Sequence, residues 1–180
     1  DVATRVATVS ADDLGLFHIG AAVLGTAFLI KCAMWPLGFW LTPTYSAATA
    51  PAAAVFAILS KVGVYVVIRL SLLLFGADAG ASSGFGLTWL FVGGLATIGF
   101  GTFGLIASRD LSRAAGFGVM ISSGTVLASL GVGDAATLSG ALFYLIGSTL
   151  ACAALFLLAE ILQRGREADV GEARAVFRSE

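Results

Sequence analysis

The stretch that decides the fold is "FLIKCAMWPLGFWLTPTYSAATAPAAAVFAILSKVGVYVVIRL", residues 28–70. It contains two apolar runs, and each run holds one of the chain's only two lysines, Lys31 and Lys61. A helix crosses the hydrocarbon core of a bilayer with about 20 mostly apolar residues. The stretch therefore predicts two membrane-spanning helices that each carry a cation among apolar side chains.

The rest of the chain has the same apolar character. Of its 180 residues, 58% are hydrophobic and 12% are charged, and the mean hydropathy is +0.98. A soluble domain has about 25% charged residues, and isolated strands leave backbone groups unpaired in lipid. We therefore predict an all-α fold, a polytopic membrane helical bundle of about five transmembrane helices. The expected spans are residues 14–41, 51–75, 85–108, 111–130 and 136–163.

Charged residues near the span ends predict the orientation. Basic residues favour the cytoplasmic side of a membrane, and they cluster at one set of ends as Arg109, Arg113, Arg164 and Arg166. The opposite ends carry Asp12, Asp13, Asp78 and Asp134. We expect residues 1–13 to form an extracytoplasmic loop and residues 164–180 a cytoplasmic loop or tail.

The chain opens with Asp1, and no basic region with a short apolar core follows. A signal peptide would show that pattern. We expect either a trimmed N-terminus or a piece of a longer protein.

Several functional classes are not expected. A net charge of −1 without a basic face predicts no nucleic-acid partner. One histidine and no CxxC motif predict no metal site. Cys32 and Cys152 lie in apolar segments, where a thiol is usually a small buried hydrophobe. The segment GFGTFG, residues 99–104, matches a dinucleotide-binding glycine pattern, but it lies inside an apolar run without a preceding strand, so it predicts close helix packing instead.

Lys61 is expected near the middle of the membrane. If its helix begins near Pro51, a residue suited to a first helical turn, Lys61 lies about 15 Å further along. A lysine at that depth costs at least about 2.5–3.5 kcal/mol, so it should face other helices or a hydrated cavity. An ionisable residue in that position predicts a functional site.

Lys31 is followed five residues later by Pro36. On a straight helix Lys31 would approach the cytoplasmic end and could extend its amine to the interface. A proline inside a helix removes a backbone hydrogen bond and kinks or breaks the helix. Interrupted helices at mid-depth line ion sites in transporters, so Pro36 predicts a helix break beside a functional lysine.

Two such lysines on adjacent helices could pass a charge state between them. Poor hydration brings proton uptake and release by an amine within reach at physiological pH, and two ammonium groups repel each other. Short polar side chains such as Ser60 are too few nearby for a dry relay, because the chain has no Asn and a single Gln. We therefore expect water to connect the two lysines.

These residues resemble a known family. "KCAMWPLGFWLTPTYSAATAPAAAVFAILSKVGVYVVIRL" is similar to the core motif of the proton-pumping, antiporter-like subunits shared by complex I and the multisubunit Mrp/Pha cation/proton antiporters. "SRDLSR" and "GALFYL" agree with that family, and "STLACAALFLLAE" resembles the D subunit of the Mrp/Pha antiporters. The resemblance runs from about Leu14 to Glu160. It covers only the middle of a protein that normally has about fourteen helices.

The resemblance implies roles for individual residues. Lys31 would lie beside the break in the seventh helix, Pro36 would break that helix, and Lys61 would relay protons from the eighth helix. Complex I relatives carry a His-x-x-x-Lys pattern that corresponds to Ser148 and Cys152 here, which favours the antiporter D-subunit type. The family's partner glutamate on the fifth helix and ionisable residue on the twelfth lie on helices that this chain does not contain.

Five other residues are weighed as path or accessory groups: Ser60, Tyr65, Ser148, Glu160 and His18. Ser60 and Tyr65 belong to the motif around Lys61. Glu160 precedes Arg164 by four residues, and an ordinary helical ion pair is the main interpretation, with a proton or cation exit as the alternative. His18 lies near the outer end of the first span, where an interfacial role is favoured over admission of protons.

The sequence thus predicts a proton-translocating subunit of a monovalent cation/proton antiporter in the inner (plasma) membrane, exchanging Na⁺ or K⁺. Its partners would be other antiporter subunits and the lipid bilayer, and no cofactor or covalent chemistry is implied. Two alternatives remain open. One is an antiporter-like subunit of complex I or a membrane hydrogenase, and the other is a structural fragment that transports nothing.

Overall fold

The computed structural model describes residues 6, 9, 11–77 and 79–179, with the backbone alone for residue 11 and residues 169–179. Five helical segments are long and apolar enough to cross a membrane, and the described residues contain no strand. The predicted all-α, multi-pass fold is confirmed. Its helices are α1 (Ala11–Lys31), α2 (Leu41–Ala47), α3 (Ala50–Phe75), α4 (Leu87–Ala107), α5 (Leu111–Val132) and α6 (Ala135–Ser179), with a 3-10 turn at Gly80–Ser82.

The break predicted near Pro36 separates α1 from α2. Helix α1 ends at Lys31, and Ala33 adopts a left-handed backbone conformation with φ of 56°. Backbone bonds to α1 hold the start of the non-helical segment, and two bonds that involve side chains hold the rest: the Trp35 N–H donates to Thr97 Oγ1 at 2.9 Å, and the Trp40 indole donates to the Ile30 carbonyl at 3.1 Å. Backbone outside a helix is tolerated at membrane depth only where protein or water satisfies it. These bonds give the Trp35 N–H and the Ile30 carbonyl protein partners.

Helices α4 and α5 pack closely because glycines line their contact. A Cβ added at Gly94 would lie 2.8 Å from the Gly124 carbonyl oxygen, and one added at Gly124 would lie 2.9 Å from the Gly94 oxygen. Small residues let two helix backbones approach in this way. The packing interpretation of GFGTFG is confirmed for Gly101 and Gly104, which face α5, whereas Gly99 has open space around it.

Helix α5 lies at the centre of the described bundle and α1 at its edge. The central part of α5 is the most enclosed of the spans, whereas α1 has no buried residue in its apolar window and packs mainly on α3. Two clusters of buried side chains lie where α3, α5 and α6 meet, one that includes Val64 and one that includes Met120 and Phe156. A residue on α3 that points at α5 is therefore removed from the surface of this chain.

The last helix is longer than expected. We expected residues 164–180 to be a loop or tail, but the backbone of α6 remains helical to Ser179. The segment contains no proline and many strong helix formers, chiefly Arg, Glu and Ala, so nothing ends the helix at the polar boundary. Residues 11–13 of the expected N-terminal loop belong to α1. The rest of that loop, apart from residues 6 and 9, and also Asp78, lie outside the described residues.

Candidate functional site: a buried lysine between α3 and α5

Lys61 is buried in the middle of α3. Only 4% of its surface is exposed, and at 1.5 Å per residue it stands about 16 Å from the start of a helix roughly 39 Å long. Pro51 occupies the first turn of that helix, as the sequence predicted. Lys61 therefore lies at bilayer depth and faces protein, not lipid.

Its amine is held by three acceptors on α5. The Lys61 Nζ donates to the Ser122 hydroxyl, to the Ser123 hydroxyl at 3.2 Å and to the Val119 carbonyl at 3.4 Å. An ammonium group has three N–H donors. Each donor has an acceptor on one short segment of α5, so the charged form is fully hydrogen-bonded.

The surroundings of Lys61 contain no balancing charge among the residues that the structure describes. The titratable groups that interact with it are the thiols of Cys32, in the helix break, and Cys152, on α6. Both cysteines are buried and free, as predicted. A buried cation without a carboxylate partner is costly, so among the described residues the hydrogen bonds to α5 are what stabilise the ammonium.

Lys31 also lies at mid-depth, but on the surface of the described bundle. A Cβ added at Gly63, halfway along α3, would lie 3.1 Å from the Lys31 Cγ and 3.3 Å from the Cys32 sulfur. Gly63 is about 20 Å from either end of its helix. That depth argues against free extension of Lys31 to the interface. Lys31 is exposed, so the structure places the two predicted lysines at similar depth and buries only Lys61.

Tyr45, on α2, and Ser60, next to Lys61 on α3, form a second buried polar pair. The Tyr45 hydroxyl donates to the Phe56 carbonyl at 2.7 Å and contacts the Ser60 hydroxyl at 2.5 Å. Tyr45 also lines a polar cavity of about 260 Å³ together with Glu160 and Arg164. Ser60, a predicted accessory residue, is thus fully buried and linked to that cavity through Tyr45.

The remaining predicted accessory residues lie apart from Lys61 or touch only its periphery. Tyr65 is exposed. Ser148 is half-buried and donates to the Leu145 carbonyl at 3.2 Å. Glu160 pairs with Arg164, as the main interpretation predicted. None of the three contacts the Lys61 amine among the described hydrogen bonds.

His18 is linked to the turn between α3 and α4. Its Nε2 lies 3.0 Å from the Ser82 hydroxyl, and its ring stacks on Phe85 with centroids 4.2 Å apart. This arrangement fastens the N-terminal half of α1 to the turn between α3 and α4.

Sequence reasoning missed Ser122 and Ser123. They are adjacent hydroxyls in the middle of an apolar span, and that pattern was a usable signal. Small polar residues in membrane helices often bond across to a neighbouring helix. Their pairing with Lys61, about sixty residues earlier, emerges only when α3 and α5 pack.

Comparisons with known proteins agree with these features. Residues 6–177 match the family described as NADH:quinone oxidoreductase/Mrp antiporter, transmembrane. The chain is 55% identical over 168 residues to the D subunit of a probable K⁺/H⁺ antiporter of Rhizobium meliloti strain 1021, which covers 93% of this chain and 31% of that protein. It is 30% identical over 165 residues to the D subunit of an Na⁺/H⁺ antiporter of Alkalihalophilus pseudofirmus, with 91% and 32% covered.

A third relative is the D subunit of an Na⁺/H⁺ antiporter of Bacillus subtilis strain 168, at 32% identity over 149 residues, 82% of this chain and 29% of that protein. The chain spans about a third of the length of these curated relatives. The match to the family covers nearly the whole chain, and it includes both lysines and the helix break. This chain therefore belongs to the NADH:quinone oxidoreductase/Mrp antiporter transmembrane family.

Proposed function

We propose that this chain is part of the D subunit of a monovalent cation/proton antiporter, and that Lys61 carries protons within it. The observation that supports the proposal most directly is the burial of Lys61 at mid-membrane among neutral hydrogen-bond acceptors. Ionisable residues inside membrane spans usually mark ion or proton pathways. The antiporter names of the relatives point to the same activity.

Lys61 would act by alternating between two protonation states. The three acceptors on α5 stabilise the ammonium, while the lack of a carboxylate partner among the described residues keeps the neutral amine accessible. A lysine locked in a strong ion pair would hold its proton, whereas this one can take up and release a proton during each cycle. The two neighbouring thiols, Cys32 and Cys152, carry no charge when they are protonated, so they form no ion pair with the ammonium.

Lys31 would exchange protons with Lys61 through water. The two side chains lie at similar depth, and the Lys31 stem packs on Gly63, two residues beyond Lys61. Lys31 is exposed in this chain, and we propose that further helices of the whole protein cover it. Pro36 and the hydrogen-bonded break would hold the end of α1 at this depth.

The whole protein would work in the inner (plasma) membrane with other antiporter subunits and exchange Na⁺ or K⁺ for protons. The proton gradient would supply the driving force, so no cofactor is required. Ser60 and Tyr45 would connect the lysine region to the polar cavity beside Glu160, and this gives Ser60 and Glu160 accessory roles. Tyr65, Ser148 and His18 would line or border the path without carrying the proton.

The test uses the full-length protein assembled in its complex, in everted membrane vesicles with a fluorescent reporter of the pH gradient. Lys61→Met should abolish cation-dependent proton flux, and Lys31→Met should lower it strongly. Arg69→Met is the matched control, because Arg69 is an exposed cation on the same helix. Wild-type flux in Lys61→Met would refute the proposal.

A second candidate function is proton pumping in a redox-driven complex. The description of the matching family supports it, because that description includes NADH:quinone oxidoreductase. Neighbouring genes separate the two: small hydrophobic antiporter subunits favour the first, and iron-sulfur or nickel-iron subunits the second. Proton flux that requires an electron donor and does not depend on Na⁺ or K⁺ would support the second. If this part of the protein only packs against other helices, the full-length complex should keep wild-type flux in both Lys31→Met and Lys61→Met.

A further inference from the structure

Ser122 has a position that no other acceptor of Lys61 shares. It bonds the buried amine, and it also lies in the wall of an open groove of about 460 Å³ between α5 and α6. Ser148, Cys152 and Tyr144 are the other residues with polar side-chain atoms along this groove, and Phe143 and Ala151 add apolar surface to its wall. Gly118 and Gly147 leave space in it, because a Cβ added at either would meet nothing within 4 Å. Ser122 is therefore the point at which the Lys61 site meets the groove.

The Ser122 hydroxyl can satisfy both forms of the lysine. When Lys61 is charged, Ser122 accepts from the amine and donates its own hydrogen to the Val119 carbonyl at 2.9 Å. When Lys61 is neutral, the amine gains a lone pair, and the hydroxyl can turn and donate to it, because a hydroxyl is both donor and acceptor. A buried polar group left without a partner is costly, and this rotation avoids that cost in either state.

We propose that Ser122 is the proton-relay residue through which the proton of Lys61 passes to water in the α5–α6 groove. The inference rests on the proposed function of Lys61. The Ser122 hydroxyl first turns its hydrogen from the Val119 carbonyl to a groove water. One N–H bond of the ammonium then breaks as the Ser122 oxygen takes that proton, and the original O–H bond breaks as its proton goes to the groove water. A neutral amine and a hydronium ion result, and the total charge is unchanged. The new hydroxyl hydrogen already points at the amine.

Ser123 provides the comparison that isolates this role. It bonds the same amine at 3.2 Å and is fully buried, but it does not line the groove. If the serines only hold the ammonium in place, removal of either hydroxyl should have a similar effect. If Ser122 exchanges the proton, its removal should have much the larger effect.

Few groups other than Ser122 could take the proton from Lys61 among the described residues that face it. Helix α5 presents two serines and a carbonyl, α6 presents Cys152, and the helix break presents Cys32. Within this part of the chain neither thiol hydrogen-bonds the amine, whereas Ser122 bonds it directly. The hydroxyl of Ser122 is thus the shortest connection from the amine to the groove.

The first experiment measures proton flux of the full-length protein in its complex, in H₂O and in D₂O. Ser122→Ala should lower flux about tenfold, the scale expected when a buried partner is removed, and should raise the solvent isotope ratio because proton transfer becomes limiting. Ser122→Thr keeps the hydroxyl and should restore most of the flux. Ser123→Ala should lower flux by a clearly smaller factor than Ser122→Ala and leave the solvent isotope ratio unchanged, because Ser123 bonds the amine but does not line the groove.

The outcomes separate the inference from the function on which it rests. Equal losses in Ser122→Ala and Ser123→Ala, or an unchanged isotope ratio in Ser122→Ala, would show that Ser122 only holds the amine. Wild-type flux in Ser122→Ala combined with no flux in Lys61→Met would overturn the inference and leave the proton-carrier role of Lys61 intact. Wild-type flux in Lys61→Met would overturn that role itself.

A second experiment tests whether the groove holds water. Ser148→Cys places a thiol in the groove wall, and Thr149→Cys places one at the adjacent position outside it. A small, charged methanethiosulfonate reagent, followed by mass spectrometry of the α6 peptide, should modify the thiol at position 148 and leave the thiol at position 149 unmodified. A thiol at position 148 that reacts only after denaturation would show a dry groove and overturn the inference.

Discussion

Replacement of Lys61 by methionine should remove proton flux and stabilise the protein at the same time. Burial of a lysine at the centre of a membrane helix costs about 2.5–3.5 kcal/mol on insertion scales. The three hydrogen bonds to α5 offset part of that free-energy cost. Polar bonds between membrane helices average about 0.6 kcal/mol each, so together they leave part of the insertion cost unmatched. Lys61→Met should therefore raise the free energy of unfolding by about 1 kcal/mol.

The assay is reversible unfolding of the purified full-length protein in mixed micelles, with flux measured on the same variant. Arg69→Met is the control and should change the free energy of unfolding little, because Arg69 is exposed on α3. If Lys61→Met instead lowers the free energy of unfolding by more than about 1 kcal/mol, the hydrogen bonds outweigh the burial cost. The amine would then be a structural group, and the proposal that Lys61 takes up and releases a proton would be wrong.

Three further predictions concern the scaffold and one loop. Gly94→Ala should destabilise the bundle by about 1–3 kcal/mol in the same unfolding assay, because its Cβ would lie 2.5 Å from a backbone nitrogen of α5, whereas Gly99→Ala should be neutral in open space. Thr97→Val should cost about 1–3 kcal/mol by leaving the Trp35 N–H unpaired, and Thr97→Ser should restore stability if the hydroxyl is what matters. Hydrogen bonds from the first turn of α6 hold the pKa of Asp134 below its usual range, so its contribution to stability is present above its unfolded pKa and is lost as pH falls through the lowered folded pKa. A carboxyl titration by NMR should show this lowered pKa, and Asp134→Ala should remove that acid-dependent loss.

The spans were predictable because their signal is local. Long apolar runs separated by short polar connections predict each membrane-spanning helix. Helix α3, for example, begins and ends within one residue of the expected limits. The break after Lys31 was predictable for a similar reason, since Pro36 acts on the turn that precedes it. Helix α6 was not predicted to continue past the membrane boundary, because polarity reports where a bilayer ends and says little about where a helix ends.

The site was only partly predictable because its other half comes from distant sequence. The depth of Lys61 follows from counting residues along α3, but its partners depend on which face of α3 meets α5. Ser122 and Ser123 are brought there by the close packing of three helices, and no local pattern specifies that arrangement. The different exposure of Lys31 and Lys61 is also a tertiary property, since both lie in equally apolar runs.

The glycine contact between α4 and α5 limits how this region can work. Gly94 and Gly124 bring the two backbones so close that α4 and α5 would move as one unit if they moved at all. Helix α5 also supplies the acceptors that the structure describes for the Lys61 amine. A carrier that rocks between two faces of the membrane would therefore have to shift α3 against this pair. A proton step at Lys61 would need only rearranged hydrogen atoms and hydroxyl torsions at fixed heavy-atom positions.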